Sequence, residues 1–109
     1  MKISFDFDGT LSQDRVQRLA DKLIHDGHDV IVVTSRHSKH KNPDVEGIAD
    51  ELGVEVFYTD GQDKYRTLVG QNVEIHYDDD PVEIELIEQH THIIGILVSG
   101  EIEWRKDVY

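Results

Sequence analysis

Hydrophobic and polar positions along the chain follow two periods, which predict strands and helices in alternation. Short apolar or β-branched runs predict strands over residues 2–7, 29–34, 54–59, 73–78 and 92–99. Apolar residues at helical spacing predict helices over about 13–26, 43–52, 63–69 and 81–90. The stretch EIEW at 101–104 could fold back as a sixth strand. This alternation is typical of an α/β domain with right-handed crossovers and a mostly parallel sheet.

Capping residues stand at the ends of the predicted helices. Ser12 and Asn42 occupy the N-cap positions of the first two helices, where a side-chain oxygen can accept a free backbone N–H. Asp80 occupies the N-cap of the last helix, and Glu83, three residues further on, completes a capping box. Local chemistry therefore indicates the same helix starts as the periodicity.

Composition narrows the class of protein. The 109 residues are enough for one compact domain, predicted to span 1–109, and the absence of cysteine excludes disulfides, thiolate metal sites and a cysteine nucleophile. No apolar run approaches the ~20 residues that span a bilayer. With no signal-peptide pattern, a cytoplasmic location without a membrane partner is expected. The formal net charge of −12 argues against general binding of duplex nucleic acid.

Polar residues with reactive or metal-binding side chains follow four of the predicted strands. They are Asp6 and Asp8, then Thr34 and Ser35, then Lys64, and finally Asp78, Asp79 and Asp80. Because ligands of parallel sheets bind beyond the carboxyl ends of the strands, these groups are expected to meet at one edge. Carboxylate oxygens without thiolates favour a hard cation, and Mg²⁺ is the common partner of phosphate groups.

The segments FDFDGT, VVTS and YDDD, together with Lys64, resemble the four motifs of the haloacid dehalogenase-like (HAD) superfamily of phosphatases. They stand in the family's order and at roughly its spacing, over residues 2 to about 90. The resemblance implies a three-layer, Rossmann-like fold with strand order 5-4-1-2-3. It also implies a Mg²⁺-dependent phosphomonoester hydrolase that works through an aspartyl-phosphate intermediate.

The resemblance gives each matching residue a role. Asp6 would be the nucleophile that becomes the aspartyl phosphate, and Asp8 the general acid and base. Thr34 and Lys64 would bind the phosphoryl oxygens. The implied Mg²⁺ ligands are the side chains of Asp6, Asp78 and Asp79 and the carbonyl of Asp8, with Asp79 the first choice within DDD and Asp80 the helix cap.

Four further residues are candidates for substrate binding: Gly9, Thr10, Ser35 and Arg36. Gly9 would let the chain turn closely around the site. The loop at 36–43 should overhang the site, where Arg36, Lys39 and Lys41 could recruit a phosphorylated or polyanionic substrate.

No room is left for the cap domain that closes over the site in many HAD relatives. Only GTLS separates Asp8 from the first predicted helix, and only DGQD precedes Lys64. An open site admits bulky substrates. The sequence does not decide between nucleotides, oligonucleotide ends, sugar phosphates and phosphoproteins as substrates. The missing cap slightly favours large or polymeric phosphoesters.

Other interpretations of the same residues remain. A catalytically idle, metal-binding interaction module could use this fold. A response-regulator receiver also gathers acids and a lysine around Mg²⁺, but its lysine follows the last strand, whereas Lys64 precedes the last acid cluster. Pairs among the seven histidines lack further zinc ligands. Glu74 and His76 alternate with apolar residues, which indicates a partly solvated face and a contact for a homo-oligomer.

Overall fold

The computed structural model describes residues 1–99, so the predicted sixth strand at 101–104 lies outside the described residues. The strands in the described part are β1 Lys2–Phe5, β2 Asp29–Thr34, β3 Val56–Tyr58, β4 Ile75–Asp78 and β5 Ile94–Leu97. The α-helices there are α1 Asp14–His25, α2 Pro43–Leu52, α3 Tyr65–Gly70 and α4 Pro81–His90. None of these helices has the length and apolar character needed to cross a bilayer.

All five strands form one parallel sheet in the order β3-β2-β1-β4-β5. This is the predicted order 5-4-1-2-3 read from the opposite edge, so the α/β class and the strand order are confirmed. Receiver domains have the order 2-1-3-4-5 instead. The observed topology therefore argues against the receiver interpretation.

Helices cover both faces of the sheet and make three layers. On one face, α1 and α2 pack Val16, Ala20 and Val45 against β1 and β2. On the other, α3 and α4 pack Leu68 and Ile87 against the opposite side of β2. Because β2 is buried on both faces, its sequence is a continuous β-branched run instead of an alternating one.

One predicted cap position is wrong, and a second is occupied without the expected hydrogen bond. Helix α1 begins at Asp14, and the hydroxyl of Ser12 accepts a hydrogen bond from the Gly9 N–H at 3.1 Å instead of capping the helix. Asn42 does occupy the N-cap of α2, but its side chain makes no cap hydrogen bond. Its amide nitrogen donates to the carbonyls of His37 and His40, so it closes the preceding loop.

The start of α4 confirms one prediction and corrects another. Asp80 caps the helix by accepting the Val82 N–H at 2.9 Å. Glu83 forms no capping box with Asp80. Its carboxylate accepts the backbone N–H of Lys64 at 3.2 Å, a contact between α4 and the start of α3 that competes with the local one.

Candidate active site

An open cavity of about 400 Å³ lies at the carboxyl end of the sheet. Its lining residues come from the segments after β1, β2 and β4 and from the start of α3: Asp6, Asp8, Ser35, Lys64, Asp78, Asp79, Asp80 and Pro81. All four polar segments singled out in the sequence therefore contribute to one cavity. Parallel strands bring them together because their carboxyl ends share one edge of the sheet.

Lys64 bridges two of the carboxylates. Its Nζ lies 2.8 Å from Asp6 Oδ1 and 2.7 Å from Asp78 Oδ2, and its side chain is 4% exposed. Burial alone would lower the pKa of Lys64, but the charges of Asp6 and Asp78 outweigh burial and raise it. The ammonium therefore stays charged and ties the ends of β1 and β4 to the start of α3.

Asp6 is a buried carboxylate with a raised pKa. It is 5% exposed, and burial, with the nearby charge of Asp78, raises its pKa to about 7 despite the opposing charge of Lys64. The Thr10 hydroxyl donates to Asp6 Oδ2 at 3.4 Å. Thr10, predicted to bind substrate, thus contacts Asp6 and is itself fully buried.

Three acids form a cluster suited to a hard cation. Oxygen atoms of Asp6, Asp78 and Asp79 all lie within 4.8 Å of one another. With all three carboxylates ionised, the single ammonium of Lys64 would leave an excess of two negative charges. A purely oxygen donor set with that charge fits a hard divalent cation such as Mg²⁺. Asp80 is engaged as a helix cap, as predicted.

Gly9 packs directly against this cluster. Its φ is +73°, and a Cβ atom at this position would lie 2.1 Å from Oδ2 of Asp79. Any other residue would be strained in the left-handed conformation and would also push Asp79 away. The turn after β1 therefore needs glycine in order to approach the end of β4.

The residues after β2 that were predicted to bind substrate do not all line the cavity. Ser35 lines the cavity. Thr34, predicted to bind phosphoryl oxygens, is fully buried, does not line the cavity, and accepts the Arg36 N–H at 3.4 Å. Lys41 lines a separate groove of about 500 Å³. Arg36 pairs with Asp8, whose side chain is 60% exposed.

Sequence reasoning missed a buried extension of the site formed by Ser4 and His76. The prediction that His76 lies on a partly solvated face is wrong, because both residues are fully buried and pair in register between β1 and β4. His76 Nε2 lies 2.8 Å from Asp78 Oδ2, and its Nδ1 lies 2.6 Å from Ser4 Oγ. The sequence does contain a signal for this extension, because polar residues alternate along β1 and β4 and lead to Asp6 and Asp78.

The protonation of this extension follows from its partners. Burial lowers the pKa of His76, so the ring is neutral. With Nε2–H donating to the Asp78 carboxylate, Nδ1 accepts from the Ser4 hydroxyl, and each group has its partner. Burial would raise the pKa of Asp78, but the His76 hydrogen bond and the charge of Lys64 outweigh burial and lower it. Asp78 is thus held as a carboxylate.

No model of a known protein family matches the chain, and no curated protein matches its sequence.

Proposed function

We propose that this protein is a Mg²⁺-dependent phosphomonoester hydrolase of the HAD-like type, without a cap domain. One observation carries the proposal: an Asp6 carboxylate that lines an open cavity, 2.8 Å from the buried ammonium of Lys64 and beside the acids Asp78 and Asp79. A carboxylate nucleophile repels a dianionic phosphate, so such a site needs positive charge around the phosphoryl group. Lys64 and a divalent cation supply it.

The chemistry has two displacements. In the first, an Asp6 carboxylate oxygen bonds to phosphorus while the bond from phosphorus to the ester oxygen breaks, and Asp8 gives its proton to the departing alkoxide. In the second, water bonds to phosphorus, Asp8 takes a proton from that water, and the bond between phosphorus and Asp6 breaks. Inorganic phosphate leaves, and both aspartates return to their starting states.

Asp6, Asp78 and Asp79 are the residues that would hold Mg²⁺. When bound, the ion offsets negative charge on the phosphoryl oxygens. Lys64 has a second role, since it stabilises charge on the same oxygens once the ester is bound. Asp78 is oriented for this arrangement by His76 and by the backbone N–H of Asp80, which donates to Asp78 Oδ1 at 3.0 Å.

The two short connections beside the cavity support a class of substrate. Only residues 9–13 separate Asp8 from α1, and only residues 59–63 separate β3 from Lys64. Neither connection is long enough to form a lid over the cavity. An uncovered site accommodates the end of a large or polymeric phosphoester, so such substrates are favoured over small metabolites that a lid would enclose.

A catalytically idle, metal-binding interaction module is the second candidate. One observation favours it: Lys64 is paired with two carboxylates and Asp8 with Arg36, so the protein's own side chains satisfy both groups. A module that only binds a cation needs nothing more. In an enzyme, some of these ion pairs must break so that the same groups can contact the substrate.

A phosphate-release screen separates the two candidates. Nucleotides, 3′- and 5′-phosphorylated oligonucleotides, sugar phosphates and phosphopeptides are incubated with the protein, with Mg²⁺ or with EDTA. We expect catalytic release that requires Mg²⁺, a phosphoryl adduct on Asp6 in acid-quenched samples, and no turnover by Asp6→Asn with unchanged circular dichroism. Mg²⁺ binding without release from any substrate class would establish the idle module instead.

A further inference from the structure

We propose that Arg36 is a positioning residue for Asp8: the guanidinium, anchored by Asp44 and Asn42, sets the orientation of the Asp8 carboxylate over the cavity. This inference rests on the proposed function, in which Asp8 exchanges protons with the ester oxygen and with water. It assigns Arg36 a role different from the substrate binding that its sequence position predicts.

The hydrogen bonds of Arg36 account for every N–H donor that it has. Nε donates to Asp8 Oδ2 at 3.0 Å, and one terminal nitrogen donates to Asp8 Oδ1 at 2.7 Å and to Asp44 Oδ2 at 2.9 Å. The other donates to Asp44 Oδ1 at 2.8 Å and to Asn42 Oδ1 at 3.3 Å. A guanidinium carries five N–H donors, so none is left for a ligand in this arrangement.

The anchor on the far side of Arg36 consists of residues of α2 and its N-cap that have hydrogen bonds of their own. Asp44 lies in the first turn of α2, and its Oδ1 also accepts the Val45 N–H at 2.9 Å. Asn42 is fixed by its bonds to two loop carbonyls. The guanidinium also lies over the ring of Phe7, 5.2 Å from its centroid. Arg36 is therefore held independently of Asp8.

Asp8, in contrast, depends on Arg36. Its side chain is 60% exposed, and among residues 1–99 Arg36 is its only hydrogen-bond partner. A solvated carboxylate without that grip would sample several rotamers. Each Asp8 oxygen accepts one N–H from Arg36 and keeps a second lone pair, so the grip still allows proton transfer. Misplacement of a proton donor by about 1 Å can cost ~100-fold in rate.

Leaving-group dependence distinguishes positioning of Asp8 from binding of substrate. An alkyl phosphate such as 2-glycerophosphate needs a proton on its departing oxygen, whereas p-nitrophenyl phosphate, with a stable leaving anion, hardly does. Loss of Asp8 orientation should therefore lower kcat/KM for the alkyl ester selectively. Loss of a contact to the phosphoryl group should lower kcat/KM for both esters equally.

The test uses Arg36→Lys and Asp44→Asn, with Asp50→Asn as the matched control, an exposed acid of α2 that does not contact Arg36. Lysine keeps the positive charge but lacks the planar guanidinium that forms bidentate hydrogen bonds with two carboxylates. We expect Arg36→Lys to lower kcat/KM by about 10- to 100-fold for 2-glycerophosphate and by less than about threefold for p-nitrophenyl phosphate. Asp44→Asn should change both in the same direction by less, and Asp50→Asn should change neither.

Equal losses on both esters would overturn the inference and return Arg36 to substrate binding. Unchanged kinetics in both variants would also overturn it while leaving the proposed function intact. A wild-type protein that hydrolyses neither ester, nor any substrate of the wider screen, would overturn the proposed function and the inference with it. Thermal unfolding of each variant establishes that it is folded, and Asp44→Asn provides the comparison if Arg36→Lys is unstable.

Discussion

At the scale of single residues, the candidate site contains a series of buried side chains that hydrogen-bond to one another. Ser4, His76, Asp78, Lys64 and Asp6 follow one another through hydrogen bonds of 2.6–2.8 Å. A buried ion pair contributes little net stability, because desolvation offsets the attraction, but removal of one partner leaves an uncompensated buried group. Each of these side chains therefore contributes to stability mainly by supplying a hydrogen-bond or charge partner to the next buried group.

Replacement of His76 by Leu tests this dependence. The fully buried ring would be lost from between Ser4 and Asp78, so a buried hydroxyl and a buried carboxylate would each lose a partner. We expect the free energy of unfolding to fall by about 1–3 kcal/mol, the cost of an unsatisfied buried group. Urea unfolding of His76→Leu measures it. His92→Leu, at an exposed histidine, is the control, and equal effects of the two would contradict this role.

Residues at strand ends could be predicted, whereas residues along the strands could not. The order of strands and helices in the sequence places four residues at strand ends or at the start of a helix: Asp6, Lys64, Asp78 and Asp79. Parallel topology alone brings such residues to one edge of the sheet. The burial of His76 depends on its partner in the neighbouring strand and on the helices that cover both faces. Alternating polar residues in β1 and β4 indicate one polar face, but neither strand encodes whether helices cover that face, so the sequence alone predicts a partly solvated position for His76.

At the scale of elements, the strand and helix periods predicted the elements and their ends to within two residues, whereas several of the predicted capping interactions were wrong. The β-branched run of β2 and the apolar stripe of α1 identify their elements because burial acts on every residue in them. A cap involves only one or two polar groups, which also have partners elsewhere. Glu83 bonds to Lys64, 19 residues earlier in the chain, and Asn42 bonds within its own loop, so local capping rules failed at both.

The loop between β2 and α2 is held by contacts with Asp60 and by contacts within the loop, and its lysines are exposed. The Ser38 N–H donates to Asp60 Oδ1 at 2.8 Å, and Asn42 closes the other side. Because Arg36 has no free donor, Lys39 and Lys41 are the loop's cations that can meet a polyanionic substrate. In the double variant Lys39→Gln/Lys41→Gln, KM should rise about two- to tenfold, because exposed charges contribute modestly to substrate binding. The value of kcat should barely change.

Steady-state kinetics of this double variant at two salt concentrations provide the measurement. The rise in KM should shrink at high salt, where exposed charges are screened. Arg18→Gln/Lys22→Gln, on the exposed side of α1, removes the same charge elsewhere and should leave KM unchanged. An equal rise in both double variants would mean that overall charge, and not the loop, attracts the substrate.

At the scale of the whole molecule, the sheet concentrates negative charge where its strands end. The chain carries a net charge of −12, and three of its acids are clustered around one buried ammonium at the carboxyl edge of the sheet. An acidic molecule repels phosphate unless a cation is present at the point of contact. Cation binding and phosphoester binding are therefore expected to depend on each other in this fold.

Mg²⁺ should accordingly stabilise the folded protein, and more so at high pH. A folded-state pKa of about 7 for Asp6, against 3.8 when unfolded, means that this group's contribution to stability is lost as pH rises between those values. A bound cation favours the ionised carboxylate, while protons compete with it below pH 7. At free Mg²⁺ of about 100 times Kd at pH 8, the gain of ~2.7 kcal/mol should raise Tm by about 10 °C.

Thermal unfolding at pH 8 and pH 5.5, in EDTA or Mg²⁺ at matched ionic strength, measures this linkage. At pH 5.5 the apparent affinity should fall about 30-fold, because Asp6 is then mostly protonated, and the Tm shift should fall to about a third. Asp79→Asn should lose most of the shift at pH 8, while Asp21→Asn, an exposed acid of α1, should keep it. The same Tm rise in wild type, Asp79→Asn and Asp21→Asn would mean that Mg²⁺ only screens the acidic surface, because a site needs its particular ligands and a diffuse ion atmosphere does not.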